Sequence, residues 1–178
     1  MAAKRVLFKL ACFLLGICPI SIAIAQQAFL NAEYLIFALP ENIERVRFQN
    51  GQYQRGSSPL EEGFLRVSLE KLAPADLNND GLQDVVAIAL SNTGGNAFWT
   101  TLSGLLGGSK KPTPLEPVYL GDGVVVNNVS VGRDSGGKAE VCLDMLAHGP
   151  EDPSCCPTKK EKRCFTLAEN RWIPRRAK

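Results

Sequence analysis

The sequence predicts an all-β protein, mostly antiparallel hairpins arranged as a small sandwich or a partly open barrel, with room for short helical turns. Three observations carry that expectation. The chain holds 16 Gly and 11 Pro in 178 residues, more punctuation than a helical protein usually carries. Past residue 25, clusters of Gly, Pro, Asn, Asp and Ser recur at short, regular spacing, as turns between short strands do. Between them apolar residues alternate or run continuously, with little sustained helical period. With 45% hydrophobic and 21% charged residues, the composition excludes a disordered, collagen-like or multi-span membrane chain.

The first 25 residues read as an export signal. Lys4, Arg5 and Lys9 form a positive head, residues 10–24 an apolar run, and Ala23-Ile24-Ala25 offers small residues at the two positions a signal peptidase reads. The run is shorter than the ~20 apolar residues of a spanning helix. Ile17 before Cys18 lacks the small residue of a lipidation site. Cleavage is expected after Ala25, sending a monomer without a membrane span to the periplasm or the medium; the alternative is an uncleaved N-terminal anchor. Removing 25 residues leaves 153, the size of one domain, 26–178.

Strands follow in order. Val46-Arg47-Phe48-Gln49 and Gln52-Tyr53-Gln54-Arg55 flank Asn50-Gly51, the preferred filling of a type I′ hairpin turn. Residues 64–69 alternate as a half-buried strand does. Residues 84–90 form a continuous apolar run after Asp84 and read as a central strand. Thr93-Gly94-Gly95-Asn96 turns the chain into 97–102, and 104–117, rich in Gly, Lys and Pro, reads as a loop. Residues 124–131 and 138–146 bracket Arg133-Asp134-Ser135-Gly136-Gly137 as a hairpin, and 163–167 and 171–173 close around Glu169-Asn170.

Charge is unevenly spread. Residues 26–178 carry 17 Lys and Arg against 18 Asp and Glu, a net −1. Of this, 159–178 holds +6 and 26–158 holds −7. A basic tail can seek an anionic polysaccharide or lipid headgroup, but such a cluster is more often a solvated face. No nucleic-acid partner is expected.

The chemical signal is Asp76-Leu77-Asn78-Asn79-Asp80-Gly81-Leu82-Gln83-Asp84. Oxygen side chains stand at Asp76, Asn78, Asp80 and Asp84, Gly81 permits a sharp bend, and Leu82 can offer its carbonyl. A hard cation such as calcium wants six to eight oxygens, and this spacing supplies most of them. Three carboxylates this close repel one another without an ion. An EF-hand would place a bidentate Glu at the twelfth position, where this chain has Ala87 inside an apolar strand. The bland alternative is an Asx- and Gly-rich turn that binds nothing.

The segment from Asp76 to Ala87 resembles the calcium loop of FG-GAP (integrin-α-type) repeats, which also leads into a strand. One copy implies no propeller. The wider pattern resembles a group of small exported bacterial proteins of unestablished function. The resemblance rests on Asn31-Ala32-Glu33-Tyr34, the 76–84 loop, Asn92-Thr93-Gly94-Gly95, and Gly149-Pro150-Glu151-Asp152-Pro153-Ser154-Cys155-Cys156-Pro157. It implies calcium and export, and no activity.

Past residue 25 the cysteines are Cys142, Cys155, Cys156 and Cys164, an even set suited to an oxidising compartment. A hairpin over 138–167 centred near Pro153 places Cys142 and Cys164 opposite one another, leaving Cys155 and Cys156 to pair as neighbours. Cross-links between the loop and its arms remain open, as does a zinc site using His148. Zinc is disfavoured because exported thiols oxidise and no C-x₂-C unit is present.

An enzyme finds little support: there is no G-x-S-x-G, no H-E-x-x-H and no phosphate-cradling glycine loop. His148 is the only histidine. Phe98, Trp99, Tyr119 and Trp172 could form a sugar-stacking face but are more simply packing residues. The favoured reading is an exported, non-catalytic, calcium-binding β-module for a partner protein or envelope polysaccharide. The alternative is an inhibitor or accessory protein acting through loop 147–157, where His148, Pro150, Asp152, Pro153 and Pro157 would present a preorganised surface. An enzyme of unknown type stands third.

Overall fold

A computed structural model describes residues 26–108 and 111–175; the export signal read at 1–25 lies outside them. A helical turn over 26–30 precedes β1 (Glu33–Leu39), β2 (Asn42–Arg47), β3 (Gln52–Arg55), β4 (Leu65–Ala75), β5 (Asp84–Asn92) and β6 (Trp99–Leu106). Then come β7 (Thr113–Pro114), β8 (Val118–Asp122), β9 (Val125–Arg133), β10 (Ala139–Ala147), β11 (Lys159–Ala168) and β12 (Arg171–Arg175). The fold is all-β and antiparallel. Its sheets are open, as in a small sandwich, and do not close into a barrel.

Three layers stack. The hairpin β1–β2 covers one face of a sheet ordered β3-β4-β5-β6-β7, in which β8 also pairs with β6. A sheet ordered β12-β11-β10-β9 covers the other face. The reason lies in β5, whose side chains alternate between two apolar environments. Val85, Ala87 and Ala89 meet Tyr34, Ile36 and Val46 of the hairpin. Val86 and Ile88 meet Val141, Leu143, Met145 and Trp172 of the other sheet. A strand covered on both faces has no polar side to show, hence its continuous apolar run.

The outer layers are one-sided. In β10, Ala139, Val141, Leu143, Met145 and Ala147 face inward and are buried, while the residues between them are half-buried. On the hairpin side, the buried Thr101 and Ser103 of β6 tie down β1. Phe37 N–H donates to Thr101 Oγ1 at 3.2 Å, and Ser103 Oγ donates to the Leu35 carbonyl at 2.7 Å.

Two expectations need correction. Asn50 and Gly51 do adopt left-handed φ of 52° and 77°, and Gln49 and Gln52 form one bridge. The flanking segments then diverge: β2 pairs with β1 and β3 with β4. Val46 and Phe48 are buried in the apolar cluster between the β1–β2 hairpin and the central sheet, which pulls that arm away from β3. The second correction concerns 104–117, where β6 continues to Leu106 and β7 pairs beside it. Gly104 marks close packing and not a turn. A Cβ there would lie 2.8 Å from the Val85 carbonyl oxygen and 3.1 Å from both Leu115 Cδ1 and Trp172 Cζ2.

Candidate functional site

Loop 76–84 joins β4 to β5 and is wound by Asn79 and Gly81, with φ of 63° and 80°. Its side-chain oxygens take backbone N–H groups. Asp76 Oδ2 accepts from Gly81 at 3.2 Å, Asn78 Oδ1 from Asp80 at 3.1 Å, and Asp80 Oδ1 from Leu82 at 2.8 Å. Asn78 Nδ2 donates to Asp80 Oδ2 at 2.8 Å. Leu77 is buried in the core and pins the loop, while the Leu82 side chain is exposed. Arg133 of β9 donates to the Asp76 carbonyl at 2.7 Å. One atom stands out: Asp76 Oδ1 is buried and has no hydrogen-bond partner.

Asp84 does a different job from the other acids. It is fully buried; its Oδ2 accepts the Leu77 N–H at 2.7 Å and its Oδ1 the Gly107 N–H at 2.6 Å. It therefore staples the loop to the end of β6. Burial raises its pKa, the two N–H groups oppose that, and Asp80 and Asp76 add repulsion. Among the described residues no group of three or more His, Cys, Asp or Glu is placed to hold a metal ion. Backbone dipoles instead do part of the neutralising that an ion would do. For a cation to enter, Asn78 and Asp80 must exchange backbone partners for it, whereas Asp76 Oδ1 is already free.

The cysteine-bearing loop lies at the other end of the sandwich. The β9–β10 pairing runs from Arg133↔Ala139, beside Asp76, to Val125↔Leu146, roughly 26 Å along a strand. Loop 147–158 is clasped by Asp152. Its Oδ2 accepts N–H groups from Gly149 at 2.8 Å and Thr158 at 2.7 Å, and its Oδ1 accepts the Thr158 hydroxyl at 2.7 Å. The Gly149 amide, the Thr158 groups and the charge of His148 hold its pKa below the ordinary carboxylate value. His148 packs on Gly123, where a Cβ would come within 2.6 Å of its Nε2. Cys142 and Cys164 face each other in the β10–β11 register, with Cα atoms 4.1 Å apart and sulfurs at disulfide distance. That separation is typical of a close, non-hydrogen-bonded pair. The sulfurs of Cys155 and Cys156 also face one another, inside a turn closed by Cys156 N–H to the Pro153 carbonyl at 3.0 Å.

Beside that turn the two sheets splay into a groove of about 910 Å³, lined in part by Lys71, Ile88, Leu90, Phe98, Val125 and Cys155. Phe98 and Val125 are 43% and 46% exposed. Asn92 builds one rim, donating to the Gly95 and Ala97 carbonyls at 2.8 and 2.9 Å and accepting the Gly94 N–H at 3.0 Å. Phe98 is then clipped to the next turn: its N–H reaches Asp122 Oδ1 at 3.1 Å, and its carbonyl takes the Gly123 N–H at 2.7 Å. The groove escaped the sequence reading because its walls come from separate strands; an apolar Phe98 beside a Gly-rich turn was the available signal. The four aromatics do not form one face. Trp172 is buried in the core, and Tyr119 packs on Phe37 with ring centres 5.7 Å apart.

The basic tail meets the acidic remainder of the chain. Lys162 pairs with Asp144 at 3.7 Å, Arg171 with Glu116 at 3.9 Å, and Arg175 with Asp134 at 2.9 Å and Glu140 at 3.4 Å. Much of its charge is thus matched within the fold. Among the described residues no helix is long and apolar enough to cross a membrane.

Compared with protein-family models, with curated proteins and with solved structures, the chain finds no match.

Proposed function

We propose that this protein is an exported, non-catalytic β-module that takes calcium in loop 76–84 and uses its far end to engage a partner protein or envelope component. One observation carries the calcium reading: the buried, partnerless Asp76 Oδ1 in a loop with two further carboxylates. A buried anionic oxygen without a donor is costly, and a divalent ion removes that cost. The resemblance of the loop to FG-GAP calcium loops points the same way. The exposed Phe98 and Val125 beside the groove support binding at the other end.

Calcium binding to the folded chain alone stabilises it by RT ln(1 + [Ca²⁺]/Kd), about 2.7 kcal/mol for a hundredfold excess over Kd. Thermal melts of the chain starting at Gln26, with calcium and with EDTA, test this. Asp80→Ala is expected to fold and lose the calcium shift. A melting temperature indifferent to both calcium and chelator overturns the reading.

The Asp152 clasp supports a second reading, in which the stiffened 147–157 loop is presented to a partner as an inhibitory or accessory element.

A further inference from the structure

The divergence of β2 and β3 after the Gln49–Gln52 bridge leaves a cleft between two sheet edges. Its volume is about 410 Å³, and it is lined by Arg47, Gln49, Gln52, Tyr53, Gln54 and Arg66. Three of the six Gln in the whole sequence stand here, and none of the lining residues is acidic. We propose that this cleft binds an acidic saccharide: a hydroxyl-rich ring carrying an anionic group.

The charge balance around the cleft singles it out. Nearby Arg55 is already matched by Glu44, at 2.7 and 3.3 Å through two nitrogens. Arg66 has no carboxylate partner among the described residues, and Arg47 pairs at 3.5 Å with Glu33, a carboxylate it shares with Lys111 at 2.5 Å. Lys111, Arg47 and Arg45 all draw the Glu33 pKa down, so several cations surround one anion. Arg66 is preoriented: its Nε donates to Gln54 Oε1 at 3.3 Å, and its guanidinium lies 5.6 Å from the centre of the Phe64 ring. No hydrogen bond from its two Nη groups is found among the described residues. Those groups form a planar fork suited to an oxyanion. The amides of Gln49 and Gln52 each pair a donor with an acceptor, the complement of sugar hydroxyls, whereas the Gln54 amide is held between the Gly56 carbonyl, at 2.9 Å, and Arg66. Half-buried Tyr53 supplies an aromatic surface beside them. This local excess of cations sits in the part of the chain whose net charge is −7, so it does not follow from composition.

The test uses the chain from Gln26 onward and chemical-shift mapping with three probes: a galacturonic acid trimer, a neutral galactose trimer and a hexose phosphate. The uronate trimer is expected to shift the Gln49 and Gln52 side-chain amides, with affinity falling as salt rises. Arg47→Gln and Arg66→Gln should each weaken it about tenfold or more at unchanged melting temperature. Binding of the hexose phosphate alone, with the same arginine dependence, supports the clamp and makes the anion a phosphoryl group. No shift with either anionic probe at about 10 mM, equal binding of the neutral trimer, or affinities unmoved by both arginine variants overturns the proposal. The measurement is made in EDTA, so a failure of calcium binding leaves it intact.

Discussion

Asp84→Asn separates the two roles that an acidic residue at the end of loop 76–84 can play. In the fold, both carboxylate oxygens of this fully buried side chain accept backbone N–H groups, from Leu77 at 2.7 Å and Gly107 at 2.6 Å. Asparagine keeps one acceptor and turns an NH₂ toward the other N–H. The change removes one charge-assisted hydrogen bond, about 1.5–3 kcal/mol, and leaves a buried donor unmatched, about 1–3 kcal/mol. Relief acts against this, because burial and the neighbouring Asp80 and Asp76 already disfavour the charge, which is why the pKa is raised. A net loss of about 2–3 kcal/mol remains, or roughly 5–10 °C in Tm for a domain of this size. The assay is a thermal melt in EDTA, where calcium plays no part, with amide exchange read at Leu77 and Gly107. Asp84→Asn within about 0.5 kcal/mol of the parent, with unchanged protection at both amides, refutes the staple.

Further outcomes follow from other contacts. Asp152 has a depressed pKa, so its contribution is present above the ordinary carboxylate value and is lost as pH falls through the lower folded value. Protection of the Gly149 and Thr158 amides, taken relative to their intrinsic exchange rates, should fall below about pH 4, and Asp152→Ala should remove it at all pH; unchanged protection in the variant refutes the clasp. Gly104→Ala forces a methyl toward Val85, Leu115 and Trp172 and should cost about 1–3 kcal/mol with altered Trp172 fluorescence; an unperturbed melt contradicts the close packing. Non-reducing peptide mapping should yield a Cys142–Cys164 fragment, as their facing register demands. A link from Cys142 to Cys155 or Cys156 denies it.

Much of the fold was legible because its cues are local. The alternation of β10 and the unbroken apolar run of β5 each report the number of faces covered, and periodicity encodes that number directly. Asn50-Gly51 and Glu169-Asn170 announce left-handed turns, and all four residues have positive φ, between 50° and 77°. The Cys142–Cys164 pairing was legible for a similar reason, since antiparallel register is arithmetic about a turn. The hairpin β1–β2 was not. Residues Asn42, Glu44, Arg45 and Arg47 make β2 look like solvent-facing chain, and its partner is chosen by what Val46 and Phe48 bury against.

The candidate sites divide in the same way. The spacing of Asp76, Asn78, Asp80 and Asp84 is a property of nine consecutive residues, and it alone singled out an acidic, oxygen-rich loop. Which of those oxygens is free was decided elsewhere: Asp84 answers to Gly107, 23 positions away, and Asp76 Oδ1 is orphaned by the packing around it. The groove beside Phe98 and the cleft between Arg47 and Arg66 owe everything to tertiary structure. Each opens where neighbouring strands part to join different layers, and a linear pattern carries no record of which strands separate. Sequence by itself therefore determined the class of fold, the turns and the acidic loop, because short-range sterics and period-two burial act within a few residues. Layer assignment, the pairing of charges and the accessible surfaces were left to the assembled core, where side chains distant in the chain compete for the same space.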